Sequence, residues 1–268
     1  MTKGWLRPAL LLVCASVALA QTPVVEQGGV VNAASFAAGQ VVTPGSLVSI
    51  FGGELAGSLA TADSIPLATQ LTDVSVTFNN ISAPLLFVAP NQVNSQLPWN
   101  VLPVGQTAGA ATVVVTRGGV ASQPRQLQVG PFSPGIFTLQ FGQGQAIAIN
   151  NADGSIAAPT GSIPGFTTHP AKFGDFVIIL ATGLGAIDIP MADGHNALDQ
   201  TRWTTTAPAV LIGGVSVRVH FSGMSPEFVG VNQINIEIDK EVPKGGAVPL
   251  QLQVGGIIST DQVTIAIE

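Results

Sequence analysis

Val74–Pro98, VSVTFNNISAPLLFVAPNQVNSQLP, aligns without a gap on Val215–Asp239, VSVRVHFSGMSPEFVGVNQINIEID. Val-Ser-Val opens both segments, and Phe-Val and Asn-Gln-x-Asn recur further on. The match extends outward. Gly45–Leu55 (GSLVSIFGGEL) corresponds to Gly174–Leu184 (GDFVIILATGL), and Arg117–Ser122 (RGGVAS) to Val254–Ser259 (VGGIIS). The repeated text is strand-like. Val74, Val76 and Phe78 alternate with polar residues, as do Val215, Val217 and Val219, and then Ile234, Ile236 and Ile238. Period-two alternation puts one face of each segment into a core. Gly118-Gly119 and Gly255-Gly256 sit between strand texts at equivalent places and read as hairpin turns that need positive φ. No stretch carries a sustained helical period, so the chain reads as all-β: two tandem immunoglobulin-like β-sandwich domains related by internal duplication.

The 268 residues suffice for two domains with a core each. The first is expected over residues 21–130. The second is expected over 131–268, with segment 131–170 as an N-terminal hairpin elaboration in which Phe137–Phe141 and Ala146–Ile149 flank Gly142-Gln-Gly144. Charged residues make up only 9% of the chain, against roughly 25% in ordinary soluble domains. Ser, Thr, Asn and Gln must therefore supply most of the polar surface. Acidic residues outnumber basic ones 15 to 9, and the basic ones are scattered singly, which argues against a nucleic-acid partner.

Residues 1–20 read as a signal peptide. Lys3 and Arg7 give a basic start, Ala9–Ala18 an apolar run, and Ala18-Leu-Ala20 a small-x-small cleavage site before Gln21. The apolar run is too short for a transmembrane span. Export is expected, to the periplasm, the cell surface or the medium. Cys14, the lone cysteine, lies inside this leader, so neither disulfides nor a thiol nucleophile are expected in the mature chain.

Several motifs in combination carry a resemblance: Val31-Asn-Ala-Ala-Ser-Phe, Val42-Thr-Pro-Gly-Ser-Leu-Val-Ser-Ile-Phe-Gly, Ala89-Pro-Asn-Gln-Val-Asn, Ser133-Pro-Gly-Ile-Phe, Asn151-Ala-Asp-Gly-Ser, Ala181-Thr-Gly-Leu-Gly and Val231-Asn-Gln-Ile-Asn. Together they resemble the Solibacter-type uncharacterised C-terminal domain of bacterial secreted proteins, over nearly the whole mature chain. Each repeat separately resembles a TIG/IPT immunoglobulin-like sandwich. The resemblance implies an extracytoplasmic β-protein and transfers no catalytic residue.

The familiar catalytic signatures are missing: no Gly-x-Ser-x-Gly elbow, no His-Glu-x-x-His, no phosphate loop and no dinucleotide fingerprint. Two polar features remain. The repeated amides Asn91, Gln92 and Asn94, with Asn232, Gln233 and Asn235, could read a sugar hydroxyl, but they also suit backbone satisfaction where a loop enters a strand. Their recurrence in both copies favours the structural role. The second feature is a length difference. Gly45 and Gly174 are 129 positions apart whereas Val74 and Val215 are 141 apart, which places twelve extra residues in the loop 185–208 of the second copy. That loop holds Asp188, Asp193, His195, Asp199, Arg202 and Trp203. Asp193, His195, Asp199, Arg202 and Trp203 are its candidate ligand-binding residues, because long loops on rigid sandwiches often bind. Asn151, Asp153 and Ser155 resemble half a calcium loop without the remaining ligands, so no cofactor is expected and calcium is the only metal in view. His169 and His220 read as surface histidines.

These features describe an exported, non-catalytic module for adhesion, surface association or protein assembly, whose partner is an extracellular or cell-envelope protein or polysaccharide. A carbohydrate-binding module is the first alternative, with Trp99, Trp203 and Phe166 as its aromatic platforms. A secreted hydrolase using the acidic loop 185–208 is the second.

Overall fold

A computed structural model describes residues 22–259 and 262–268. The leader read at residues 1–20 lies outside the described residues. Strands, turns and bends make up the described chain, which contains no helix. No helix long and apolar enough to cross a membrane occurs among the described residues.

The first sandwich packs two sheets face to face. One runs Val24–Asn32, Leu47–Gly53, Gln92–Gln96, Leu85–Ala89, Ala60–Thr61. The other runs Val120–Ala121, Gly109–Arg117, Val74–Phe78, Gln70–Leu71, with Arg125–Val129 also paired to Gly109–Arg117. Alternation decides which side chains meet: Val74, Val76 and Phe78, with Val113 and Val115 beside them on the neighbouring strand, point inward to the same core as Ile50 and Val93 of the other sheet, all fully buried. In the second sandwich the two layers are continuous. The long strand Val215–Met224 pairs with Ala209–Ile212 through its first residues and with Asn232–Glu237 through its later ones, so one sheet folds over to enclose Ile179, Ile212, Ile234 and Leu250. A bulge at His220 marks the crossing, since bulges bend and twist a strand.

The duplication holds strand by strand, but its register differs from the gapless alignment. Ser49 lies opposite Asn94 and Ile178 opposite Asn235, as aligned. The segment between does not follow. Phe87 faces Asn94 just as Phe221 faces Asn235, each directly after a bulged residue, Leu86 and His220. The hairpin turns agree with this: Asn79-Asn80 and Gly213-Gly214 both have two successive positive φ values, and the flanking pairs are Phe78–Ile81 and Ile212–Val215. The equivalence here is therefore 134 positions, not 141. Two corrections follow. The loop 185–208 has gained five residues rather than twelve, and the other seven form the Ser225–Val231 turn, where the first copy closes its hairpin directly from Ala89 to Gln92. The repeated Phe-Val of the alignment is accordingly a coincidence: Phe87 and Val88 are in a strand, Phe228 and Val229 in the added turn.

Segment 131–170 also takes part in the duplication. Ala148–Asn150 pairs with Ile179, Ile178 and Val177 as Val30–Asn32 pairs with Ile50, Ser49 and Val48. Asn150 is thus the counterpart of Asn32, and both are buried. The hairpin read between Phe137 and Ile149 is present, with Ile147 N–H donating to Phe137 O and Leu139 N–H to Gln145 O. Gly118, Gly119, Gly255 and Gly256 all have positive φ, and the Ser122 and Ser259 hydroxyls accept from Val115 N–H and Leu252 N–H at matching places.

Candidate functional site

The two sandwiches meet along a polar and apolar seam, and the loop 185–208 is part of it. Leu47 N–H donates to Thr182 Oγ1 at 3.1 Å, and that hydroxyl donates to Gly230 O at 2.6 Å. Asn32 Nδ2 donates to Ser133 O at 2.6 Å. Ala33, Leu47 and Val231 bury one another beside Leu86, Phe137 and Leu180. Phe36 meets Phe141 edge-on at 5.7 Å.

Loop 185–208 reaches the same seam. Asp193 Oδ1 accepts the Trp99 N–H at 2.9 Å, Gly194 N–H donates to Gln96 Oε1 at 2.6 Å, and Gly194 O accepts from Leu67 N–H at 2.8 Å. Half-burial pushes the Asp193 carboxyl above its ordinary range, and the Trp99 N–H opposes that shift. Trp99 itself lies on Gly45, whose missing Cβ leaves room for the indole.

The five residues singled out in the loop are divided among different tasks. Asp193 faces Trp99. Asp199 takes a bidentate pair from Arg202 at 2.6 and 3.0 Å, and the guanidinium holds its carboxyl down to about 2. Arg202 is only 5% exposed, and its backbone carbonyl accepts from Met224 N–H. Trp203 packs edge-on to Phe221 at 4.7 Å and keeps 46% of its surface exposed. His195 is exposed, with Nδ1 3.1 Å from Asp193 O. His195, Asp199 and Arg202 line one surface hollow of about 480 Å³ with Pro190, Met191 and Leu198; Asp193 and Trp203 do not line it. Asp188, the third acid of this loop, accepts from Ile189 N–H and Trp203 N–H.

The repeated amides bond along their own strands: Gln92 Nε2 donates to Asn94 Oδ1 at 2.8 Å, and Gln233 Nε2 to Asn235 Oδ1 at 2.9 Å. The leading asparagines differ. Asn91 is exposed, whereas Asn232 is buried and accepts from Leu184 N–H through Oδ1. Phe166 is exposed, 58% of its surface in solvent.

A polar cluster missed in the sequence surrounds His169. Its Nε2 is 2.9 Å from Asp153 Oδ2 and its Nδ1 2.9 Å from Pro170 O. Asp153 Oδ1 accepts from the N–H and the hydroxyl of Ser155, which together with His169 hold the carboxyl down to about 2. The carbonyl of Pro170 and then Asp153 raise the His169 pKa above its usual value. The order Ser–Asp–His, with the carboxylate in the middle, is not a nucleophile–base pair, since Ser155 donates to the acid and not to the imidazole. Among the described residues, no group of three His, Cys, Asp or Glu side chains is arranged to hold a metal ion.

No family model and no curated sequence matches the chain. Several solved structures are similar at low identity. The full extracellular region of plexin A4 matches at 12% identity over 97% of this chain and 19% of that one, with a TM-score of 0.26. The surface glycan-binding protein PbSGBP-B from Prevotella bryantii matches at 12% identity over 91% of this chain and 42% of that one, with a TM-score of 0.27. Domains 5-6 of the S-layer protein SbsC match at 13% identity over 91% of this chain and 99% of that one, with a TM-score of 0.26. The chain spans less than half of the first two.

Proposed function

We propose that this chain is an exported, non-catalytic double sandwich that associates with the cell envelope and serves in surface association or assembly. The observation that carries this reading is the use made of the acidic loop. Its carboxylates all accept from the protein's own donors, Asp193 from Trp99 N–H, Asp199 from Arg202 and Asp188 from Trp203 N–H, and through Asp193 and Gly194 the loop clasps one sandwich to the other. A general acid or base needs a carboxylate free to meet substrate. A rigid pair of sandwiches with few charges offers surface instead of chemistry. The reading requires no cofactor and keeps the Solibacter-type resemblance as its family context.

The test is fractionation of cells producing the chain with a C-terminal epitope, followed by N-terminal sequencing. The expected product begins at Gln21 and stays with the envelope or the medium. A cytoplasmic product with residues 1–20 intact would overturn export. Polysaccharide hydrolysis by the purified protein that disappears in Asp199→Asn would overturn the non-catalytic part.

The exposed face of Trp203, braced by Phe221, favours carbohydrate binding as a second reading, because neutral sugars stack on such faces. A rise in melting temperature with a glycan, absent in Trp203→Ala, would select it.

A further inference from the structure

Both segments that the second copy has gained converge on one place. Ala197 N–H from the loop 185–208 donates to Ser225 O of the added turn at 3.0 Å, and Gly194 of the same loop holds Leu67 of the first sandwich. Between them opens a cleft of about 600 Å³. Ile65, Leu67 and Leu86 form its wall on the first sandwich, and Leu198, Phe228 and Val231 the wall on the second. Three of these are conspicuously unburied: Ile65 is 46% exposed, Phe228 47% and Leu198 77%. Large apolar side chains gathered at one cleft mark an interaction site, whereas scattered ones do not. The volume suits one or two bulky side chains.

The charged residues lining the cleft are Asp63 and Glu227, both acidic and both exposed. Neither forms an ion pair among the described residues. An apolar floor with a rim of one sign selects a partner of the opposite sign. It also disfavours a second copy of this chain, whose formal net charge is −6.

We propose that the cleft docks an extended peptide segment of an envelope protein, one presenting a bulky apolar side chain beside lysine or arginine. This rests on the reading of the chain as an assembly module and gives that module its contact site. The apolar side chain enters between Phe228 and Ile65, and the flanking cations meet Asp63 and Glu227.

The experiment titrates the mature protein, residues 21–268, with the capped peptide acetyl-GKFLKG-amide by isothermal calorimetry, against acetyl-GEFLEG-amide and acetyl-GKSSKG-amide. Saturable binding of the first alone is expected. Phe228→Ser should weaken it about tenfold, as loss of an aromatic anchor does. Leu198→Ser, on a side chain too exposed to matter for folding, should weaken it severalfold while the melting temperature holds. Asp63→Asn with Glu227→Gln should remove most of its salt dependence. No saturable binding, equal binding of the acidic peptide, unchanged binding in the variants, or a dimer in sedimentation that Leu198→Ser dissolves would each overturn the proposal. Fractionation separates the two readings: an envelope-bound chain that binds no peptide sinks the cleft alone, and a chain absent from envelope and medium sinks the module.

Discussion

Asp193 of the second sandwich accepts the backbone N–H of Trp99 of the first at 2.9 Å, so a carboxylate with the look of a ligand or catalytic acid is a joint between domains. Its neighbour Gly194 extends the joint to Gln96 and Leu67. Gln96 in turn donates through Nε2 to Gly45 O, the residue on which Trp99 rests. The clasp therefore connects the long loop to the start of the Leu47–Gly53 strand at the centre of the first sandwich.

Asp193→Asn and Asp193→Ala should separate the acceptor from the charge. Asparagine keeps an oxygen for Trp99 N–H and sheds the cost of burying a charge, so stability at pH 7 should be unchanged or slightly higher. Alanine leaves the N–H without its partner and should cost about 1 kcal/mol. The wild-type acid, raised by burial, binds its proton more tightly when folded. Its contribution to stability is therefore greatest below the ordinary carboxylate value and is lost as pH rises through the raised one. Urea unfolding between pH 3 and 7 should show the stability of the wild type relative to Asp193→Asn falling as pH rises, a difference from which the opposite contributions of Asp153 and Asp199, shared by both proteins, cancel.

Thr182→Val tests the seam more severely. Valine copies the shape of threonine but removes the hydroxyl that receives Leu47 N–H and donates to Gly230 O, at a site with no solvent exposure. Two buried backbone groups lose their partner, a loss of about 2–3 kcal/mol. Calorimetry should show the melting temperature falling and the single transition splitting as the sandwiches uncouple. An unchanged thermogram would mean that the seam couples them by other contacts.

Gly45→Ala should be more damaging than its size suggests. Gly45 has φ +78°, and an added Cβ would run into the Trp99 ring. Left-handed backbone costs an alanine about 1–2 kcal/mol before any overlap. The expected loss is at least about 2 kcal/mol, read as a lower urea midpoint, and Trp99→Ala introduced beside it should recover only the part due to overlap.

The fold class was legible because alternation is written in side chains: Val113, Val115, Leu250 and Leu252 declare their inward face whatever they pair with. The Gly-Gly turns were legible for the same local reason. Register was not. Val-Ser-Val at Val215 occupies the place of Ile81-Ser82-Ala83, not of Val74-Ser75-Val76, and two length differences conceal this in a gapless alignment. The gapless match laid Val215 on the wrong arm of the hairpin, because both arms carry alternating text and the turn between them restarts the alternation, so a shift of seven residues from one arm to the other still matches apolar to apolar. The counterpart of Val30–Asn32 in Ala148–Asn150 escaped for a related reason, since only the shared buried asparagine survives as a signal. The loop residues were found, but the partner of Asp193 lies on another domain: nothing near Asp193 in sequence announces Trp99, ninety-four positions earlier.

His169 gives the chain a dependence on pH near neutrality. Both ring nitrogens face acceptors, Pro170 O and Asp153 Oδ2, each at 2.9 Å. Only the imidazolium donates from both nitrogens, so the fold favours the charged form and raises its pKa above 6.5. The stabilisation is complete below 6.5 and is lost as pH rises through the raised value. Asp153 contributes with the opposite sign: held down to about 2, it stabilises above 3.8 and loses that effect as pH falls toward 2. Segment 151–170 should therefore be firmest between these limits. The check is urea unfolding from pH 5 to 9, with the His169 ring followed by NMR. Wild-type stability should decline on the alkaline side, and His169→Gln, which cannot carry the proton, should flatten that decline. A decline of the same size in the variant would sink the assignment to His169.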